Sequence, residues 1–289
     1  MTSDNLLEKI KQLREITGVG FKDCKSAVDE TKGDIEKSIE LLRIKGIAKA
    51  SKRMSRKAAE GLICICENDN EFSMIEVNCE TDFVAKNKQF INFSEEISQL
   101  ALIKYGKMED ILNSTMKNKK NVKGNLVDLI SKIGEKITLR RSAFIGKDKF
   151  INFSYTHSSL KKNVGKLGVL LSIETTKSKS EILDFGKQLA MQVAASSPLA
   201  IDKESLDQNI LQKEKEIITE ELKNSGKDTK IVEKIVIGKL NKFISDNTLL
   251  NQEWIMEPKK KVKDIIKEVF GKDKIEIKKF IRFKVGEGV

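Results

Sequence analysis

The sequence is poor in the residues from which catalytic centres are usually assembled. In 289 residues it has one histidine, four cysteines, one tryptophan and two prolines. His157 falls in a hairpin turn with no acid-base partner identifiable in the sequence, so it reads as an exposed turn residue and not as a catalytic base. The cysteines are too few for a disulfide framework in a chain of this length. Cys64 and Cys66 share one face of a strand-like run, as small apolar residues would, and neither a second C-x-x-C pair nor a histidine completes a metal site with Cys79. Reduced, buried thiols and no bound metal are expected. The chain has no G-x-x-x-x-G-K-[ST] phosphate loop, no G-x-S-x-G elbow and no histidine pair, so no catalytic residue and no cofactor are assigned. Asp184-Phe185-Gly186 matches a kinase tripeptide, but it sits inside a helical pattern without a catalytic loop before it. No apolar run approaches the length of a membrane span, and Met1-Thr2-Ser3-Asp4-Asn5 carries an acid and no apolar segment, so a soluble cytoplasmic chain is expected.

What is present is charge and enough apolar content for real cores. Charged residues make up 34% and hydrophobic residues 39%, with a formal net charge of +11; the length suits two compact units. The cations are nearly all lysines interleaved with glutamates, the pattern of a solvated face. Only Arg14, Arg43, Arg53, Arg56, Arg140, Arg141 and Arg282 carry the planar fork suited to bases and phosphates, and none forms an aromatic-interleaved platform. Direct nucleic-acid binding is therefore not expected, although a basic RNA-binding or ribosome-associated protein is the rival to a protein-interaction role. The charge would speed encounter with an acidic protein.

Along the chain, Leu6, Ile10 and Leu13 line a first helix ended by Thr17-Gly18-Val19-Gly20. Cys24, Ala27 and Val28 serve a second, and Asp34 caps a third that carries Ile35, Ile39 and Leu42. Lys49, Lys52, Arg53, Arg56 and Lys57 then read as a basic linker, with a domain boundary near Met54. Leu62–Glu67 and Phe72–Val77 form a hairpin around Asn68-Asp69-Asn70. Ile75 to Phe90 passes from strand alternation into a helix lined by Phe90, Phe93, Ile97 and Leu100, so Thr81 to Asn87 is a strand-to-helix connection. A surface connection is normally polar, yet this one places Phe83 and Val84 directly after Asp82. Phe83 either folds back over the helix start or is offered to a partner; spacing leaves both open.

Helices around Ile111-Leu112 and Leu126 to Ile130 and a strand from Ile137 to Ile145 follow. A second hairpin, Phe150–Tyr155 with Leu167–Ile173, precedes Glu174-Thr175 and a helix with Ile182, Leu183, Leu189 and Val193. This repeats the order hairpin, Glu-Thr, helix, with Glu174-Thr175 answering Glu80-Thr81 but without the Asp-Phe-Val element. After Pro198, Leu206, Ile210, Ile217 and Leu222 mark one long helix, Asn224-Ser225-Gly226 turns the chain, and Val232, Val236, Leu240 and Phe243 mark another. Trp254-Ile255-Met256, a helix with Val262, Ile265, Ile266 and Val269, and a strand in which Ile281, Phe283 and Val285 alternate with Arg282 and Lys284 complete the chain. The pattern is α+β: a three-helix module with its linker (1–54), then two related hairpin-plus-helix subdomains (55–145 and 146–289), the second holding an inserted antiparallel helical hairpin (201–248).

Thr81-Asp82-Phe83-Val84-Ala85-Lys86-Asn87 resembles the signature of the bacterial elongation factor Ts family. Further matches run in family order: Arg14 to Lys25, Lys132-Ile133-Gly134-Glu135, Met191 to Ser196, Met256-Glu257-Pro258 and Phe280 to Gly288. The resemblance implies a ubiquitin-associated-like N-terminal module and a guanine-nucleotide exchange factor for the GTPase elongation factor Tu. In that reading Thr81, Asp82, Phe83 and Val84 bind the GTPase and dislocate its magnesium ion. Thr17, Gly18, Val19 and Gly20, which local chemistry alone reads as a helix stop or a contact, would touch the GTPase domain. The hairpin at 201–248, which otherwise would pack on its own core, becomes a projecting dimerisation element. Longer family members continue into a C-terminal helical module, whereas this chain stops at Val289, so binding is expected to rest on the N-terminal module and the core.

Overall fold

The computed structural model describes residues 3–146, 149–223 and 228–289; the Asn224-Ser225-Gly226 turn lies outside them. The architecture is α+β, and the chain divides into two compact units. One takes the chain to Phe144 together with Thr156–Leu167 and Phe283–Val289, and the other takes Ile145–Tyr155 and Gly168–Arg282.

The first unit opens with α1 (Ser3–Thr17), α2 (Phe21–Glu30) and α3 (Ile35–Arg53). Ile10, Leu13, Cys24, Ala27, Val28 and Leu42 close over one another as a small core. Asp34 caps α3 by accepting the Lys37 N–H at 3.0 Å. Lys49, Lys52 and Arg53, read from the sequence as the start of a basic linker, belong instead to α3, which runs on to Arg53. No breaker interrupts Ile47 to Arg53, and Gly46 itself is required by close approach: a Cβ there would lie 2.6 Å from Ser131 Oγ. The compact units accordingly do not part near Met54. Ala50 is buried in the core of the following sheet, and the Arg53 guanidinium donates to the Ile130 carbonyl at 2.8 Å.

That sheet is built on β1 (Glu60–Asn68) and β2 (Glu71–Cys79), an antiparallel hairpin in continuous register from Glu60↔Cys79 to Asn68↔Glu71. After β2 come α4 (Asp82–Ala85), α5 (Lys88–Ile103), α6 (Met108–Asn113) and α7 (Val122–Ile133), then β3 (Thr138–Ile145). Two more strands, β4 (Ile151–His157) and β5 (Val164–Gly165), follow in sequence, and the four-stranded order is β3-β2-β1-β5. Phe90, Phe93, Ile97 and Ala101 on α5 bury against Leu62, Cys64, Ile75, Val77 and Cys79 of the hairpin, the period-3.6 stripe meeting the period-2 face as read from sequence. Burial pushes the Cys64 thiol up and the Cys79 thiol up to about 12, so both stay protonated at neutral pH.

The second unit repeats the hairpin-then-helix order. β6 (Leu167–Thr175) lies between β4 and the last strand of a three-stranded sheet, and α8 (Leu183–Ser196) follows it. His157 is the exposed last residue of β4 and not part of a free turn. Asp184-Phe185-Gly186 lies within α8. α9 (Gln208–Lys223) and α10 (Thr229–Asn247) form the inserted pair. Then come the short strands β7 (Glu253–Trp254) and β8 (Glu257–Lys261), α11 (Val262–Phe270) and β9 (Ile275–Lys284). Phe185 stacks on Trp254 at 5.9 Å and meets Phe270 edge-on at 5.0 Å.

In the inserted pair the buried residue of α9 is Ile218, whereas Ile217, taken from the sequence as part of the stripe, is 57% exposed. A one-residue error of this kind rotates the face by about 100°. The base of the pair is zipped by backbone hydrogen bonds from Leu199 to Asn247, from Leu249 to Ala200 and from Leu250 to Ile201. Replacing Glu204 to Asp246 by a short glycine linker should therefore leave the unit folded, with a cooperative melt and unchanged near-ultraviolet signal from Trp254. An aggregating deletion would mean that α9 and α10 complete the core.

Candidate functional site

The strand β2 ends at Cys79, and the chain turns into α4 through Thr81, whose hydroxyl caps the helix by accepting the Val84 N–H at 3.4 Å. Asn87 then caps α5 by accepting from the Gln89 N–H at 2.8 Å. Between the two caps α4 has a single turn, with Val84 and Ala85 on its inner side, both buried in the core. At 100° per residue Phe83 points about 150° away from the mean direction of those two. Phe83 does not fold back over the helix start; it is 79% exposed, the most exposed large apolar side chain among those described. Asp82 also faces water, where its carboxylate meets Lys86 at 2.7 Å. The Lys86 hydrogen bond holds the Asp82 carboxyl below its ordinary range, so it is ionised at neutral pH.

Of the four residues singled out here, then, Asp82 and Phe83 are outward, while Thr81 and Val84 are used internally. What fixes Thr81 is Glu135, a residue the sequence reading placed in a matching run but assigned no task. One Glu135 carboxylate oxygen accepts the backbone N–H groups of Glu80 at 3.1 Å and Thr81 at 3.0 Å, and the other accepts the Thr81 hydroxyl at 2.7 Å. Glu80 returns the contact: its carboxylate accepts the Lys136 N–H at 2.6 Å and faces Arg56 at 3.4 Å. Gly134 makes this possible. It ends α7 in the left-handed conformation, φ 90°, which a residue with a Cβ adopts only at a cost.

The same end of α7 reaches the N-terminal turn. Gly18 (φ 64°) lies so close to Lys132 that a Cβ there would be 3.2 Å from its Cε. Thr17 donates to the Leu13 carbonyl at 2.7 Å and accepts the Val19 N–H at 3.3 Å, while Cys24 donates to the Val19 carbonyl. Thr17 and Val19 thus hold the turn, and Gly18 and Gly20 are its exposed part. The two candidate segments, Thr17–Gly20 and Thr81–Val84, flank one structural element.

In the second unit the answering pair Glu174-Thr175 is followed by no such short helix. Lys274 and Lys278 hold the Glu174 carboxyl down to about 2. Two other runs picked out in sequence meet there. Gln192, fully buried, accepts the Ile255 N–H at 2.8 Å and donates to Ser196 and to the Glu253 carbonyl, leaving Met256 half exposed.

Among the described residues no cluster of three or more His, Cys, Asp or Glu could hold a metal ion, and no helix is long and apolar enough to cross a membrane. Phe83 is thus a large aromatic held in water on a short helix whose start is tied down by Glu135. The family model for elongation factor TS matches residues 80–287. Elongation factor Ts of Bartonella henselae is 41% identical over 286 residues, covering 97% of this chain and 92% of that protein. The proteins of the same name from Parvibaculum lavamentivorans and Methylorubrum extorquens are 39% and 40% identical over 283 residues, with the same coverage. The chain belongs to the elongation factor Ts family. It is a translation elongation factor with the family's general role of nucleotide exchange on elongation factor Tu, and it is not a catalytic enzyme.

Proposed function

We propose that the Asp82–Phe83 tip enters the GTPase domain of elongation factor Tu and disturbs the elements that hold its magnesium ion, so that GDP leaves and GTP can replace it. The observation that carries this reading is Phe83, exposed on a helix turn whose every other apolar residue is buried. No covalent chemistry is needed. An exchange factor is a ligand that prefers the empty GTPase, and reciprocity requires nucleotide to weaken the factor equally. Loss of the metal ion leaves the bound phosphates without their main counter-charge. Asp82 supplies a negative charge at the tip, and its exposed pair with Lys86 opens at little cost, as surface ion pairs do. The Thr17–Gly20 turn, flanking the same end of α7, is a second contact with the GTPase. The α9–α10 pair, which leaves Ile217 and Ile237 exposed, offers a face for a homodimer. The setting is the cytoplasm, where elongation takes place.

The test is release of fluorescent GDP from elongation factor Tu, with and without excess magnesium. The parent chain should accelerate release, and magnesium should oppose it. Asp82→Ala should lower the maximal release rate at saturating factor while changing the half-saturating concentration less, because its charge acts on the metal site. A parent chain that leaves release unchanged ends this reading.

A further inference from the structure

We propose that Glu135 is the positioning residue of the exchange tip: together with Glu80 it joins the α7–β3 turn to the start of α4 and so fixes the direction in which Phe83 is presented. This rests on the reading of Phe83 as the residue that meets the GTPase. Glu80 and Thr81 lie between the end of β2 and the first turn of α4, where backbone N–H groups have no partner within the strand or the helix. Glu135 takes both N–H groups and the Thr81 hydroxyl, three donors on one carboxylate. The Glu80 carboxylate takes the Lys136 N–H in return. The contact thus runs both ways, each carboxylate taking backbone N–H groups of the other's segment, across a separation of 54 to 56 residues. Gly134 turns the chain so that Glu135 reaches back.

Without this clasp α4 would be a four-residue helix held by one threonine cap and by Val84 and Ala85, far too short to be stable by itself. Its tip would then sample several directions, and a partner would have to select one of them. Pre-organisation removes that cost from association. Glu135 touches neither nucleotide nor metal in this scheme. Its loss acts on encounter, not on the release step.

Glu135→Ala tests this, since it leaves the Glu80 and Thr81 N–H groups and the Thr81 hydroxyl without their acceptor. In the GDP-release assay the half-saturating concentration should rise about tenfold through lost pre-organisation, with the maximal rate at saturation within about twofold of the parent. Amide hydrogen exchange at Glu80 and Thr81 should speed up in the free variant while the β1 and β2 amides stay protected. Glu80→Ala, which removes the acceptor of the Lys136 N–H, should shift half-saturation in the same direction, and it serves alone if Glu135→Ala fails to fold. Unchanged half-saturation in the folded variants, or a fall in the maximal rate with unchanged half-saturation, overturns the positioning role. Phe83→Ala is run alongside. If it too is unimpaired, the reading of Phe83 fails; if it is impaired and the glutamate variants are not, only the positioning role fails.

Discussion

Phe83→Ala should cost about 2 kcal/mol or more in binding to elongation factor Tu, as interface aromatics commonly do, and should leave the melting curve of the free protein nearly unchanged. The two halves of this expectation come from one number. With 79% of its surface already in water, the ring loses little packing when truncated, and surface substitutions of that kind usually stay within about 0.5 kcal/mol. The same exposed area is what a partner would bury. Val84→Ala is the contrast. Val84 is in the core, so its truncation should lower stability, by about 1 to 2 kcal/mol for the lost methyl groups, and should affect binding only through α4. Titration of labelled elongation factor Tu, alongside thermal melts of both variants, reads the two effects separately. Phe83→Ala that binds as the parent does, or that melts many degrees lower, would show that the ring serves the fold.

The hairpins, the helices and their order were legible because strands and helices impose different periods on apolar residues. The α5 stripe over the β1–β2 face needed only that period. The direction of Phe83 was not legible, since a four-residue helix is too short to show a period. Glu135 was visible only as part of a matching run, because its partners lie more than 50 residues earlier and no local pattern announces a contact of that span. The end of α3 was misread for a related reason: the charges of the linker suggested a break, while Ala50 and Gly46 were answering to α7 and the sheet core. Glu76 is the clearest case. On an alternating strand a glutamate between Ile75 and Val77 reads as solvent-facing, yet it has no exposed surface. The face of β2 away from α5 is covered by β3 side chains and by the chain's last residues, which are more than 200 positions away.

Glu76 accordingly carries the other large expected effect. Its carboxylate accepts the Arg140 guanidinium at 3.1 Å, the Arg141 Nε–H at 2.5 Å, the Asn78 amide at 2.9 Å and the Gly286 N–H at 2.9 Å. Arg140 and Arg141 also donate to the carbonyls of Glu287 and Lys284, and Arg141 lies 4.1 Å above the Phe283 ring. One buried charge therefore ties β2, β3 and the chain's last residues together. Glu76→Ala strands two guanidiniums and two N–H donors. Removing one partner of a buried pair commonly costs about 3 to 5 kcal/mol, and because both arginines keep some contact with water the loss here should be near the lower figure. The dependence on pH distinguishes charge from packing. Burial pushes the Glu76 carboxyl up, but the Gly286 N–H, Asn78 and Arg141 outweigh it and hold the carboxyl below the ordinary 4.5. A depressed value in the folded state means that its stabilisation is complete above the unfolded value and is lost as pH falls through the folded one. Urea unfolding should thus show a wide gap between parent and Glu76→Ala at about pH 7 and a gap that narrows below about pH 4. Release of GDP per folded molecule should change little, because Glu76 does not touch α4. A gap that is absent at neutral pH, or that stays constant into acid, would mean the carboxylate's charge does not hold the end of the chain.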